Sequence, residues 1–144
     1  MDRMAVHELI ARWWSCYDEG EMDVLGQLAA DDIGVESRTD TGDHPWEHFI
    51  AMTSRGRTEF LAHQTEHRQQ SPYPLRHNCT NVFVSADRGE EVDVHSYLFV
   101  TDIVDGVPHN LSSGTAEFTI RETPDGLRVS RMNVVLDYAA TKVW

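Results

Sequence analysis

Two short stretches of the sequence and one isolated residue carry side chains that can move protons. Tyr17 and Asp18 are adjacent, and a phenol beside a carboxylate can donate to a carbonyl oxygen and orient an imidazole. Farther along, His77 supplies an imidazole, and Asn81 offers an amide that can bind a carbonyl. Asp102, among Val and Leu residues, is a further candidate acid. These residue types predict general acid–base chemistry on a small carbonyl compound.

The first of these stretches ends a predicted helix over residues 3–19. Its apolar side chains recur at three- and four-residue spacing, which is typical of a helix with one buried face. These side chains are Val6, Leu9, Ile10, Trp13, Trp14 and Tyr17. Gly20 is a natural stop, and a second short helix over 21–30 is predicted to follow. The first helix would therefore hold Tyr17 and Asp18 over a pocket.

The remaining pattern predicts an α+β fold. A short extended piece over 33–36 and a helical segment over 46–68, interrupted near Gly56, precede a break at Pro72 and Pro74. Strands are expected over 75–86, 90–104, 109–122 and 127–137, because β-rich runs alternate with turn residues. Helices followed by an antiparallel meander predict N-terminal helices packed on a curled, mostly antiparallel sheet that encloses a pocket. Residues 1–144 would form one domain.

Alternation along the strands assigns side chains to the two faces of the sheet. It places His77 and Asn81 on one face of the first long strand. Asp102 shares the apolar face of the second, whereas His95 belongs to the opposite face. We expect the substrate to contact five residues, which are Trp14, Asn81, Ser113, Thr115 and Phe118.

Two H-x-x-E-H sequences, His44 to His48 and His63 to His67, match a zinc-protease motif. Pro45 and its polar surroundings predict a loop for the first copy, and the second has no identifiable third ligand. We therefore interpret both copies as solvated polar residues on the surface and predict no metal site.

Composition excludes several classes of partner. The 144 residues include 12 Lys+Arg and 24 Asp+Glu, for a net charge of −12. Such an acidic chain opposes binding to nucleic acid and anionic membranes. The sequence has no long apolar run, and two cysteines are too few for a disulfide framework, so a cytoplasmic protein is predicted.

Several segments together resemble the SnoaL-like branch of the nuclear transport factor 2-like (NTF2-like) superfamily. The likeness covers roughly residues 4–138. It is carried by Tyr17–Asp23, Leu28–Asp32, the Arg76-His77 strand opening with Asn81, and Met132–Asp137. The resemblance implies a cone-shaped α+β barrel.

Within that branch the chain looks most like scytalone dehydratase and the bile-acid 7α-dehydratases. Tyr17, Asp18 and His77 match positions of their metal-free dehydration site, and Asp102 matches an Asp of the bile-acid enzymes. The resemblance implies a dehydratase or isomerase without a cofactor, acting on a small hydrophobic hydroxy-ketone, polyketide-like or steroid-like substrate. The residues from Tyr138 to Trp144 are too few for the C-terminal lid helix of scytalone dehydratase.

Two non-catalytic alternatives stay open. The Arg76-His77 opening and a late strand with Arg128 and Arg131 resemble the small (beta) subunits of aromatic-ring-hydroxylating dioxygenases, which carry no chemistry themselves. A catalytically silent small-molecule-binding protein is the other possibility. Because fold relatives cover the outer face of the sheet by association, the resemblance implies a homodimer or homotrimer.

Overall fold

Helix α1 spans Arg3–Glu19 and forms as its apolar stripe predicts. The Asp2 side chain caps its first turn by accepting a hydrogen bond from the backbone N–H of Met4 at 2.9 Å. Gly20 ends it in the left-handed conformation, with φ of 74°, and its N–H bonds to the carbonyls of the last turn. The predicted stripe is buried along the whole helix, so α1 presents one continuous face to the sheet.

The structure, a computed structural model, describes residues 1–139. Within them α1 is followed by α2 Met22–Leu28, β1 Ala29–Thr39, α3 Glu47–Ile50, β2 Met52–Arg55, α4 Arg57–Gln70, β3 Arg76–Asp87, β4 Glu91–Val104, β5 Val107–Thr123 and β6 Gly126–Leu136. The expectation that no C-terminal lid follows the last strand rests mainly on residues 140–144, which lie outside the described residues.

The strands form one sheet of order β2-β1-β6-β5-β4-β3. Strands β3 to β6 make the predicted antiparallel meander. Strand β1 adds a parallel pair with β6, and β2 pairs antiparallel with β1. Register shifts in the β3–β4, β4–β5 and β5–β6 ladders bend the strands, so the sheet curls around the helices.

Two segments of the structure differ from their predictions, one in length and one in its type of secondary structure. The extended piece expected over 33–36 is part of the longer strand β1. The helix expected over 46–68 is wrong at residues 52–54, because Met52–Arg55 forms the strand β2. Strand β1 does not show a period of two because its ladder with β6 shifts register between Ala29 and Gly34, and Asp31 and Asp32 are both exposed. A local pattern search therefore misses its first half.

The core lies between the helices and one face of the sheet. Trp13 of α1 stacks on Phe60 of α4 at 5.2 Å between ring centroids and meets Phe118 of β5 edge-on at 6.4 Å. All three rings are at most 1% exposed. These contacts confirm the predicted α+β architecture, with helices on a curled sheet, and they hold α1 and α4 in fixed positions beside β3. In the described part of the chain, no helix is long and apolar enough to cross a membrane.

Candidate acid–base site

The last two turns of α1 place three chemically distinct side chains side by side. Tyr17 and Asp18 follow Trp14 by three and four residues, and this spacing puts all three on one helix face. Each is at most 6% exposed. They form a buried aromatic and acidic surface against which the start of β3 packs.

His77, the second residue of β3, lies on that surface and touches each of its three members. Its ring stacks on the Trp14 ring at 4.5 Å with an interplanar angle of 2°. The Tyr17 ring meets it edge-on at 5.2 Å. The Asp18 carboxylate binds it twice, because Oδ2 accepts from the His77 backbone N–H at 2.8 Å and Oδ1 lies 2.6 Å from Nδ1. The structure thus brings Tyr17, Asp18 and His77 together, and their catalytic role stays a prediction.

The double contact with Asp18 determines the state of the imidazole. A carboxylate can only accept hydrogen bonds, so the proton of a neutral His77 ring belongs on Nδ1. The lone pair then resides on Nε2, which has no hydrogen-bond partner among residues 1–139 and retains contact with solvent. Since the His77 side chain is 11% exposed and that of Asp18 only 6%, Nε2 is the point at which this cluster can meet a ligand.

A second imidazole, which the sequence analysis placed on the surface, completes the cluster. His67 of α4 forms a hydrogen bond through Nδ1 with the Tyr17 hydroxyl, and its ring stacks on Phe49 at 4.3 Å. The interpretation of His67 as a solvated residue is therefore wrong. On α4, Gln64 follows Phe60 by four residues and His67 follows Gln64 by three, so all three lie on one helix face. Phe60 and Gln64 are buried, and the helical spacing from Phe60 is therefore the signal that marks His67 as inward-facing.

Burial sets the charge of this second pair. It raises the pKa of Tyr17 to about 12, because the charged phenolate is poorly solvated there. Burial, together with a smaller effect of His77 as a like charge, lowers the pKa of His67 to about 4. Tyr17 and His67 are both neutral near pH 7, so they form a neutral hydrogen-bonded pair beside the Asp18–His77 pair.

Asp102 is not part of this cluster in the structure. Its Oδ1 lies 3.1 Å from Nδ1 of His109, across the β4–β5 ladder. The expectation that Asp102 shares the face of Leu98 agrees with its burial, since the Asp102 side chain is 10% exposed and Leu98 and Val100 of the same alternation set are buried. Asp102 is thus on the predicted face but has an imidazole of its own as a partner.

The other predicted contact residues lie in three different places. Asn81 is exposed at a bulge of β3, where its φ of 53° breaks the alternation that was used to align it with His77. Ser113 and Thr115 lie opposite Phe99 and Tyr97 in the ladder, which is the outer face. Phe118 is buried in the core, 6.1 Å from the Trp14 ring centroid.

A groove on the outer face is lined by Asn81, Val82, Phe83, His95 and Tyr97. It lies on the side of the sheet away from the helices, so it does not open onto the cluster. On the inner face, Trp13, Phe60 and Phe118 fill the space beneath the site. Aromatic rings are therefore packed beneath the site, and the solvent side of His77 is where a ligand would make contact.

Comparison with known proteins identifies the family. A family model described as a SnoaL-like domain matches residues 1–133. The chain belongs to the SnoaL-like domain family. The match confirms the resemblance that the sequence segments indicated. A comparison with curated proteins gives no match.

Solved structures share the fold of this SnoaL-like domain. An NTF2-like protein with a cystatin-like fold from Novosphingobium aromaticivorans is 23% identical, with 94% of this chain and 81% of that chain covered and a TM-score of 0.76. A scytalone dehydratase-like protein from the same bacterium is 12% identical, with coverages of 98% and 88% and a TM-score of 0.74. The beta subunit of the benzoate 1,2-dioxygenase from Burkholderia mallei is 15% identical, with coverages of 94% and 91% and a TM-score of 0.71. These likenesses establish the NTF2-like cone fold.

In the described part of the SnoaL-like domain, the histidines of the two H-x-x-E-H sequences are not grouped as metal ligands. His44 Nδ1 accepts a hydrogen bond from the Trp46 backbone N–H at 3.0 Å. His67 is bound to Tyr17, whereas Nδ1 of His63 is buried without a partner in the described part of the chain. Among residues 1–139, no three His, Cys, Asp or Glu side chains are arranged to hold a metal ion.

Proposed function

We propose that this SnoaL-like domain is an acid–base enzyme, a dehydratase or isomerase of a small hydroxy-ketone, with His77 as its base. The observation that supports the proposal most strongly is the pair of hydrogen bonds that Asp18 accepts from His77, which leaves the Nε2 lone pair of His77 free at the solvent side of the cluster. A base must present a lone pair within hydrogen-bond reach of the proton that it removes. Asp18 also stabilises the positive charge that His77 acquires when it takes that proton.

The reaction requires few groups and no cofactor. His77 Nε2 removes the proton from the carbon next to the carbonyl, and the electron pair of that C–H bond forms an enolate. In a dehydratase the enolate then re-forms the carbonyl and creates a C=C bond, while the C–O bond to the hydroxyl group breaks. The departing hydroxyl takes one proton, either the one returned by His77 or one from a second acid, so that water leaves. An isomerase would instead return the proton to a different carbon.

The aromatic surroundings favour an apolar substrate. Trp14 holds one side of the His77 ring, and Tyr17 lies against its edge. Because the Tyr17 hydroxyl is bonded to His67 and the residue is 2% exposed, we assign Tyr17 a positioning role in place of direct contact with the carbonyl. A small hydrophobic ketone, polyketide-like or steroid-like, fits such a surface better than a charged metabolite does.

The test is elimination of water from a set of β-hydroxy-ketones that includes the aldol of benzaldehyde and acetone, followed by the absorbance of the enone. The protein should accelerate the reaction, and His77→Gln should lower the rate by about 10²–10⁴-fold, the usual contribution of a general base. His95→Gln is the matched control, since His95 also lies beside a carboxylate but on the outer face. Equal rates for wild type and His77→Gln would contradict the proposal.

We also propose that the outer face of the sheet joins copies of the chain into a homodimer or homotrimer. Phe83 and Tyr97 are about half exposed there, at 51% and 50%, and Phe99 is 36% exposed. Such an apolar patch is typical of protein–protein contacts. The same patch would suit the alternative of a non-catalytic dioxygenase subunit, which the fold shared with the benzoate dioxygenase beta subunit supports. That alternative, like a silent binding protein, predicts no effect of His77→Gln on any elimination.

A further inference from the structure

We propose that His109, held by Asp102, is a second proton carrier that protonates the departing hydroxyl group; this rests on the proposed function of His77. Nδ1 of His109 lies 3.1 Å from Oδ1 of Asp102. The Asp102 side chain is 10% exposed and the His109 side chain 56%. A nearly buried carboxylate therefore orients an imidazole whose other nitrogen is open to solvent, which repeats the arrangement of Asp18 and His77 in a more exposed position.

The strand register places the two imidazoles on the same face of the sheet. His77 lies opposite Val100 in the β3–β4 ladder, and Asp102 follows Val100 by two residues, so both point towards the helices. Asp102 in turn lies opposite His109 in the β4–β5 ladder, and residues directly opposite each other share a face. Since β3 begins one residue before His77, the Asp102–His109 pair lies just past the end of that strand, where the inner face is open.

Strand geometry gives the separation between the two bases. Neighbouring strands are about 4.8 Å apart and each residue rises about 3.4 Å. His77 and His109 are two strands apart and offset by about two residues, so their Cα atoms are roughly 12 Å apart. Each imidazole extends several ångströms from its Cα atom, so rings that lean towards each other would lie on either side of a small ketone, which would present its C–H bond to one ring and its hydroxyl group to the other.

This arrangement divides the elimination between two groups. His77 Nε2 accepts the proton from carbon, and the freed electron pair becomes the C=C bond. The C–O bond breaks as a protonated His109 gives its proton to the oxygen, so that water leaves. His77 is then protonated and His109 neutral, and exchange with solvent restores both. Asp102 acts here as a positioning residue, because it holds the ring of His109 and does not itself meet the substrate.

A leaving-group comparison tests this division. The aldol of benzaldehyde and acetone loses hydroxide, which needs a proton, whereas its acetate ester loses acetate, which does not. We expect His109→Gln to slow elimination from the aldol by about 10²-fold or more and to leave elimination from the acetate ester within a few-fold of wild type. His77→Gln should slow both. Asp102→Asn should reproduce the pattern of His109→Gln with a smaller loss.

The outcomes separate the two proposals. If His109→Gln slows both substrates equally, or neither, His109 is not the acid and the inference fails while the role of His77 stands. If wild type accelerates neither elimination, or His77→Gln changes neither, the proposed function itself is contradicted. His95→Gln on the outer face controls for removal of an imidazole beside a carboxylate. Urea unfolding of each variant checks that the fold is retained; His109 is exposed, so little loss is expected there.

Discussion

Replacing Asp18 with Asn should inactivate the site while leaving the fold nearly intact. The carboxylate accepts one hydrogen bond from the His77 backbone N–H and one from Nδ1. Asn has the same shape, and its carbonyl oxygen can keep the bond to the backbone N–H. Its NH₂ group then faces Nδ1, and since it can only donate, the proton of the imidazole must move to Nε2. His77 then has no lone pair to offer a substrate.

The size of the effect follows from these contacts. Reversing the tautomer of an imidazole that a carboxylate orients lowers turnover by up to about 10⁴-fold, which corresponds to about 5 kcal/mol of transition-state stabilisation. Unfolding should become easier by only about 1–2 kcal/mol, because both hydrogen bonds are replaced and only the charge is lost. Asp18→Ala is different, since it leaves two buried donors of His77 without acceptors, at about 1–3 kcal/mol each.

Three measurements check the prediction for Asp18→Asn. Nitrogen-15 NMR of the imidazole should show the proton of His77 on Nδ1 in wild type and on Nε2 in the variant. Elimination rates and urea unfolding then give the two free energies. Glu117→Gln is the control, because Glu117 accompanies His95 on the outer face and is 61% exposed. Turnover within tenfold of wild type, or an unchanged His77 tautomer in Asp18→Asn, would refute the reasoning.

Four further outcomes can be measured. Burial lowers the pKa of His67 from 6.5 to about 4, so between these pH values the unfolded chain binds more protons than the folded chain. The free energy of unfolding should therefore fall by at most about 3 kcal/mol as the pH drops from 6.5 to 4. Urea unfolding at both pH values should show a flatter profile for His67→Asn, and an equally steep one would contradict the assignment. Tyr17→Phe removes the hydrogen-bond partner of His67 Nδ1 and should lower the free energy of unfolding by about 1–3 kcal/mol. The loss should be smaller in a protein that already carries His67→Phe. Equal losses in the two backgrounds would show that Tyr17 and His67 are not coupled. Gly114→Ala should lower the free energy of unfolding by about 1–3 kcal/mol or more, because the added Cβ would lie 2.8 Å from a backbone atom of β6. Gly26→Ala is the control: its Cβ would contact only the side chain of Leu61, so thermal unfolding should change little. Tyr97→Glu should shift the molecular mass measured by light scattering towards the monomer, and an unchanged mass would exclude this part of the outer face as the interface.

The part of the site that sequence patterns predict comes from the element with a strong period. The apolar stripe of α1 determines which face is buried, and Tyr17 and Asp18 follow from it by helical spacing. The alternation of β3 groups His77 with Cys79, but the strand opens with polar residues, so alternation does not say which face is inward. The grouping of His77 with Tyr17 and Asp18 comes from the resemblance to the dehydratases.

The rest of the site could not be predicted, because its residues interrupt the hydrophobic periodicity of their helix or strand, or lie where there is none. Asn81 has a positive φ at a bulge, so counting by twos assigns it to the wrong side. Helix α4 is polar overall, and its buried residues are Phe60 and Gln64, so hydrophobicity alone does not identify His67 as inward-facing and only its spacing from Phe60 indicates it. The partner of Asp102 depends on the β4–β5 register, which shifts between Val100 and Thr101.

Among residues 1–139, the two imidazoles of the site differ in that only His77 has a carboxylate partner. A proton on His67 would be buried without a counter-ion and close to His77, and both effects lower its pKa. A proton on His77 is held by Asp18 at 2.6 Å. The two rings therefore do not share a proton near neutral pH, since charging His67 is costly whether or not His77 is charged. His67 and Tyr17 are then a neutral hydrogen-bonded pair, and under the proposed function the transferred proton would be carried by His77, the ring that faces Asp18.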